Sequence, residues 1–179
     1  MTIQNVVRGL VAVVLSGLGI GVAAAQQVDP SWLTVNAPQK RVTVELIAGL
    51  QASDSGFDFN GFRNGGLTLT VPRDWRVVLH FRNNDAKQPH SAEVIWEVQP
   101  VPAGPTRPAF TRSFTPRLAV GTAPQGRDSA SFVADARGNL IIYCPVQGHG
   151  THGQWIHMVV ADKKQVPVPT LRATAAGGS

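Results

Sequence analysis

The stretch Cys144-Pro145-Val146-Gln147-Gly148-His149-Gly150-Thr151-His152-Gly153-Gln154-Trp155 decides how this chain is read. Leu140 to Tyr143 ahead of it is apolar and strand-like, and Gln154 to Ala161 behind it alternates as a second strand. Cys144 therefore stands at a strand end. His149 follows five residues later and Gln154 five after that, with glycines and a proline between them that make a tight loop. A thiolate and an imidazole on one short loop can grip a soft metal ion, but they need a partner from elsewhere in the chain. His90 meets that need, because it follows the polar loop Asn83 to Pro89 and opens a further strand reaching about Glu97. Two imidazoles and one thiolate form a His₂Cys set with room for a weak axial group, the arrangement of a blue-copper electron-transfer site.

Cys144 is the only cysteine among 179 residues. One thiol makes neither an internal disulfide nor a cysteine-based zinc site. Residues 1–25 read as a secretory signal peptide. Arg8 is the basic element, Gly9 to Val22 the apolar run, and Ala23-Ala24-Ala25 the small residues before the cut. A retained anchor is the alternative, although the run is short for a spanning helix. In an oxidising compartment an exposed free thiol is a liability, so Cys144 is expected to be either buried and inert or occupied by a metal.

The rest of the chain is β-like. Val42, Val44 and Leu46 alternate with polar residues, as do Leu67, Leu69 and Val71, and Val77, Leu79 and Phe81. Asp54 to Gly56, Asn60-Gly61 and Asn64-Gly65-Gly66 mark breaks and turns. Ala130 to Ala134 reads as a further short strand. With 18 Gly and 13 Pro the composition favours a turn-rich β-protein over a helical bundle, and 15% charged residues argue against a solvated coiled coil. The expectation is an all-β Greek-key sandwich. Residues 26–40 would be a lead-in in which Trp32 and Leu33 pack on the domain. Residues 41–165 would be the domain itself, with a Pro-rich insertion at about 98–129, and 166–179 a flexible tail.

The matching elements Phe59-Asn60-Gly61, Leu67 to Pro72 with Asp74-Trp75, Phe81-Arg82-Asn83, Pro89-His90-Ser91, Cys144-Pro145-Val146, Gly148-His149 and Gly153-Gln154-Trp155 resemble the cupredoxins, most of all the sulfocyanin-like family. The resemblance covers roughly residues 42–162 and implies an eight-stranded sandwich-like barrel with one type 1 copper ion. Carried over by position, it makes His90, Cys144 and His149 the strong ligands. It places Gln154 where the family usually has an axial Met, and a harder carbonyl donor there should favour Cu(II) and lower the reduction potential.

Among the other candidates, Met158 lies four residues beyond Gln154 on the same strand, about 13 Å away, and is expected in the core. His152 is expected exposed beside the site, and His80 and His157 are expected to be surface or strand histidines. Trp155 and Tyr143 are expected to pack near the site, and Ser91 to hydrogen-bond across to the Cys loop.

The function expected is an exported, periplasmic or extracytoplasmic one-electron carrier between respiratory redox partners, and not an enzyme. The alternative is a copper-handling module without electron transfer. A copper enzyme is disfavoured, since the chain lacks the extra histidine cluster of a copper oxidase or nitrite reductase. Arg107, Arg112, Arg117 and Arg127 offer either a docking surface for an acidic partner or a solvated loop. The net charge of +5 permits nucleic-acid binding, but export and the lack of a basic-aromatic cluster argue against it. A monomer is expected, with peripheral membrane association compatible with the compartment.

Overall fold

Alternation of apolar residues builds two sheets in a computed structural model that describes residues 26–51 and 56–174. The expected signal peptide and the break at Asp54-Ser55 lie outside the described residues. After a short 3-10 turn at Pro30–Trp32 come strands β1 (Leu33–Asn36), β2 (Arg41–Ala48), β3 (Leu67–Pro72), β4 (Trp75–Asn83) and β5 (Glu93–Trp96). They are followed by β6 (Arg127–Ala134), β7 (Gly138–Tyr143), β8 (Trp155–Ala161) and β9 (Thr170–Ala173). One sheet has the order β1-β2-β4-β6 and the other β5-β7-β8-β3-β9. The β2–β4 and β3–β8 pairs are parallel and the rest antiparallel. The sequence neighbours β1–β2 and β7–β8 pair directly, whereas the chain changes sheet at every step from β2 to β7, alternating β2, β4 and β6 with β3, β5 and β7.

The inward faces meet in one core. Val42, Val44 and Leu46 of β2, Val77, Leu79 and Phe81 of β4, Leu67, Leu69 and Val71 of β3, and Ile156, Met158 and Val160 of β8 are all buried there. Each such side chain contributes about 1.5–3 kcal/mol when fully removed from water. Trp32 and Leu33 pack against this core from the edge, as expected of the lead-in. A second, smaller cluster of Ile95, Val101, Ile141 and Tyr143 lies apart from it. Val101 comes from the Pro-rich stretch, so that stretch covers part of the second sheet.

Several boundaries differ from the sequence expectation. His90 does not open the strand. It forms an isolated bridge with Thr122, and β5 begins only at Glu93. β6 starts at Arg127 instead of Ala130, because Arg127, Asp128 and Ser129 pair with Arg82, Phe81 and His80 whatever their polarity. The loose tail expected from residue 166 is corrected at Thr170–Ala173, which pairs with β3 as β9 while Leu171 packs on the core. The described residues thus hold nine strands where the resemblance implied eight.

The candidate metal centre

Cys144 follows the last residue of β7, and Gln154 precedes β8. The hairpin between them is closed by Cys144 N–H donating to Gln154 O at 3.0 Å. Inside it, His149 N–H donates to Val146 O (2.9 Å), and Gln154 N–H donates to His149 O (3.1 Å). These bonds turn the His149 side chain back over Cys144. Gly148 and Gly153 adopt φ of 82° and 96°, values that a side chain strongly disfavours. A Cβ on Gly153 would also lie 2.5 Å from Asn64 Oδ1.

His90 reaches the same point from the opposite side. Its backbone pairs in both directions with Thr122, at 3.2 and 2.7 Å. The potential ligand atoms of His90, Cys144 and His149 all lie within 4.8 Å of one another. Cys144 Sγ is 3.5 Å from His149 Nδ1, which is 3.2 Å from His90 Nδ1. Gln154 Oε1 stands 2.9 Å from His90 Nδ1. Its amide is oriented by Nε2 donating to Asp58 O at 3.0 Å, which leaves the carbonyl oxygen aimed inward. His90, Cys144 and Gln154 are fully buried, and His149 keeps 7% exposure.

The chemistry of this donor set fits a cation. Two imidazole nitrogens, a sulfur and a carbonyl oxygen converge, and each is an acceptor or ligand in its deprotonated form. His90 Nε2 faces the Asp85 carboxylate at 3.3 Å, and in the tautomer that donates to it Nδ1 presents a lone pair opposite the Gln154 carbonyl. Two acceptors facing one another repel unless a positive charge stands between them. The donor separations suit bonds of about 2.0 Å to nitrogen and 2.3 Å to sulfur.

Burial sets the titration of the site. It pushes the Cys144 thiol up to about 11, against hydrogen bonds from Ser91 and Val146 that favour the thiolate. Burial also lowers His149 to about 4, helped by the neighbouring His90, so the imidazole is neutral and ready to bind at neutral pH. Asp58 is raised by burial, although its carboxylate accepts from the Leu50, Gln51 and Gly61 amides.

The other candidates fall outside the cluster. Met158 is buried opposite Leu140 in the core. His152 is exposed, with Nδ1 donating to Gly148 O at 2.7 Å. Phe57 packs its ring against both His149 and His152, at 4.7 and 5.3 Å between centroids. His80 pairs with Glu45, and His157 with Glu97. Tyr143 donates to the buried Glu93 at 2.6 Å. Ser91 does cross to the Cys loop: its backbone N–H donates to Cys144 Sγ at 3.3 Å, and its hydroxyl, which donates to Leu118 O, lies 4.0 Å from the same sulfur. Sequence reading missed Asp58 and Asp85, which orient Gln154 and His90. Their one signal was position: Asp58 stands two residues before the Asn60-Gly61 turn, and Asp85 lies in the polar loop that leads to His90.

A buried His-Cys-His cluster at one end of a two-sheet β-sandwich defines a cupredoxin. A family model described as the Sulfocyanin (SoxE) domain matches residues 30–171, and the chain belongs to that family. Sulfocyanin of Sulfolobus acidocaldarius is 20% identical over 146 residues, covering 76% of this chain and 71% of that protein. Among solved structures, a rusticyanin variant superposes with a TM-score of 0.55 at 18% identity, over 76% of this chain and 86% of that one. Auracyanin A of Chloroflexus aurantiacus, described as a "blue" copper protein, superposes with a TM-score of 0.50 at 19% identity, over 68% and 99%. Both show the same fold. The cofactor of this class is one type 1 copper ion, and the cluster of His90, Cys144 and His149 suits it.

Proposed function

We propose that this protein is an exported one-electron carrier whose copper is held by His90, Cys144 and His149, with Gln154 as the axial oxygen donor. The observation that carries the reading is the convergence of Nδ1, Nδ1, Sγ and Oε1 on one buried point. Copper bound there would accept and release single electrons.

The chain's own residues do the rest. Cys144 must give up its proton for the metal, and the Ser91 and Val146 amides then stabilise the thiolate. Buried ligands on two hydrogen-bonded segments restrict rearrangement between oxidation states, which keeps the reorganisation of electron transfer small. Burial of three of the four donors also opposes release of the ion, which favours a carrier over a copper-handling module. His149 alone among the four keeps an exposed edge, beside Phe57 and His152, and gives the shortest way out for an electron. The exposed Arg107, Arg112, Arg117 and Arg127 offer charge to an acidic redox partner, although Arg117 is already paired with Asp128. Residues 1–25 supply the export signal in this reading.

Copper-loaded protein is expected to show an intense thiolate-to-copper band in the visible, abolished in Cys144→Ser. A colourless copper-loaded wild type overturns the proposal. Gln154→Met is expected to raise the reduction potential and make the electron paramagnetic resonance signal less rhombic, because a thioether is a softer and weaker axial donor than a carbonyl oxygen. Identical spectra and potentials for the two proteins would mean that Gln154 is not a ligand.

A further inference from the structure

We infer that Asp85 is a positioning and potential-setting residue, a carboxylate built to accept the outer N–H of His90 and so hold that imidazole toward the Cu(II) state. The inference rests on the copper reading above and goes beyond it, since it concerns a side chain that does not touch the metal point.

The geometry is specific. Asp85 Oδ2 lies 3.3 Å from His90 Nε2, on the side of the ring away from Gln154 and His149. His90 is fully buried and the Asp85 side chain is 12% exposed, so water competes little for the contact. The other carboxylate oxygen, Oδ1, is occupied by the Lys87 and Gln88 amides at 2.7 and 3.1 Å. Asn83 Oδ1 accepts the Asp85 N–H at 3.0 Å, and Gln125 donates to the Asp85 carbonyl from both its backbone and its side chain. The carboxylate is thus clamped at its backbone and at one oxygen, with the second oxygen left for His90.

Two glycines clear its place. A Cβ on Gly49 would lie 3.0 Å from Asp85 Cβ, and one on Gly56 would lie 2.2 Å from Asp85 Oδ2. Both have positive φ, 66° and 73°. Only at these close approaches does the neighbouring segment cover Asp85 without displacing it.

A carboxylate accepting from a metal-bound histidine fixes its tautomer and increases electron donation from the other ring nitrogen. The more highly charged Cu(II) gains more from that donation than Cu(I). Removing such a partner typically costs about 10–100-fold in metal affinity. A loss of about tenfold greater for Cu(II) than for Cu(I) corresponds to a rise of about 59 mV in a one-electron potential.

The test is Asp85→Asn in copper-loaded full-length protein, read by visible absorption, reduction potential, and the His90 Nε2–H proton resonance of the reduced, diamagnetic form. The expected result is a retained blue band, a potential raised by about tenfold in the redox equilibrium, and a Nε2–H signal that moves upfield and exchanges faster. Should the Asn variant fold poorly, Gly56→Ala makes the same test without changing charge, because its Cβ displaces Oδ2, and the same direction of shift is expected. A blue variant with unchanged potential and an unchanged Nε2–H signal overturns the inference and leaves the copper reading intact. A wild type without the blue band overturns the copper reading, and this inference with it.

Discussion

The loop from Cys144 to Trp155 and the segment from Asn83 to Ser91 each bring ligand candidates to the same point, by opposite means. The first is largely self-contained, with Gly148 N–H donating to Ala103 O and Asn64 N–H donating to Gly153 O among its outside ties. Backbone bonds among Cys144, Val146, His149, Gly150, Gly153 and Gln154 fold it on itself. The second has little regular structure of its own and is held by side chains and distant strands. Asn83 Nδ2 donates to Gln88 O and Thr122 O, Asn83 Oδ1 takes the Asp85 N–H, and Thr122 pairs with the His90 backbone. The difference teaches that Cys144 and His149 depend mainly on local geometry, whereas Gln154 also needs Asp58 and His90 depends on the whole sandwich being assembled.

The comparison can be broken hardest on the dependent side. Asn83→Ala removes three hydrogen bonds in a fully buried position and leaves their partners unmet. It is expected to lower the unfolding free energy by about 3 kcal/mol in urea titration and to weaken copper binding. A change below about 0.5 kcal/mol would show that Thr122 alone fixes His90.

On the self-contained side, His149 titrates against folding in the apoprotein. Its folded pKa of about 4 lies below the ordinary value of 6.5, so the unfolded chain binds the proton first as pH falls. Its contribution to stability is therefore fully present above about 6.5 and is lost as the pH drops toward 4. Glu93 and Asp58, raised by burial, act in the opposite sense, since their protonated forms favour the fold. The His149 effect is therefore read as the difference between wild type and His149→Gln apoprotein. Between pH 7 and pH 4.5 the wild type is expected to lose about 2 kcal/mol more than the variant. Equal losses would mean that His149 is already solvated.

The smallest effect sharpens the contrast. Gly153→Ala forces a side chain into φ 96° and against Asn64, at an expected cost of about 1–3 kcal/mol, with a disturbed Gln154 signal but intact His90 contacts. If it cost as much as Asn83→Ala and displaced His90 too, the two segments would not be independent.

The same contrast explains what could be read in advance. β2, β3, β4 and β8 announce themselves by period-two alternation because one face of each lies on the core, and β7 by a continuous apolar run, Leu140 to Tyr143, buried on both faces. β9 does not, since Thr170, Arg172 and Ala173 flank one apolar residue and pair only through the edge of β3. β5 is legible as a strand, but the sequence starts it at His90 and not at Glu93, a charged residue type that is buried where Tyr143 and the Thr106 amide receive it. His90, Cys144 and His149 were legible because such residue types are scarce and their loop is short. Asp58 and Asp85 were not, because acids are common in turns. Their contacts with the site, the Asp58 carbonyl to Gln154 and the Asp85 carboxylate to His90, join residues 96 and 5 apart in sequence.

The pairing of Thr170–Ala173 with β3 has a consequence for solubility. Without β9, the outer N–H and C=O groups of Leu67–Pro72 would form a bare edge of alternating apolar and threonine residues, a template on which a second molecule can add a strand. β9 takes that place and presents the exposed Arg172 instead, with Pro169 just before it as a break. A chain trimmed before Thr170 would keep its copper-binding residues and acquire a sticky side, so the last strand guards the protein against its own copies.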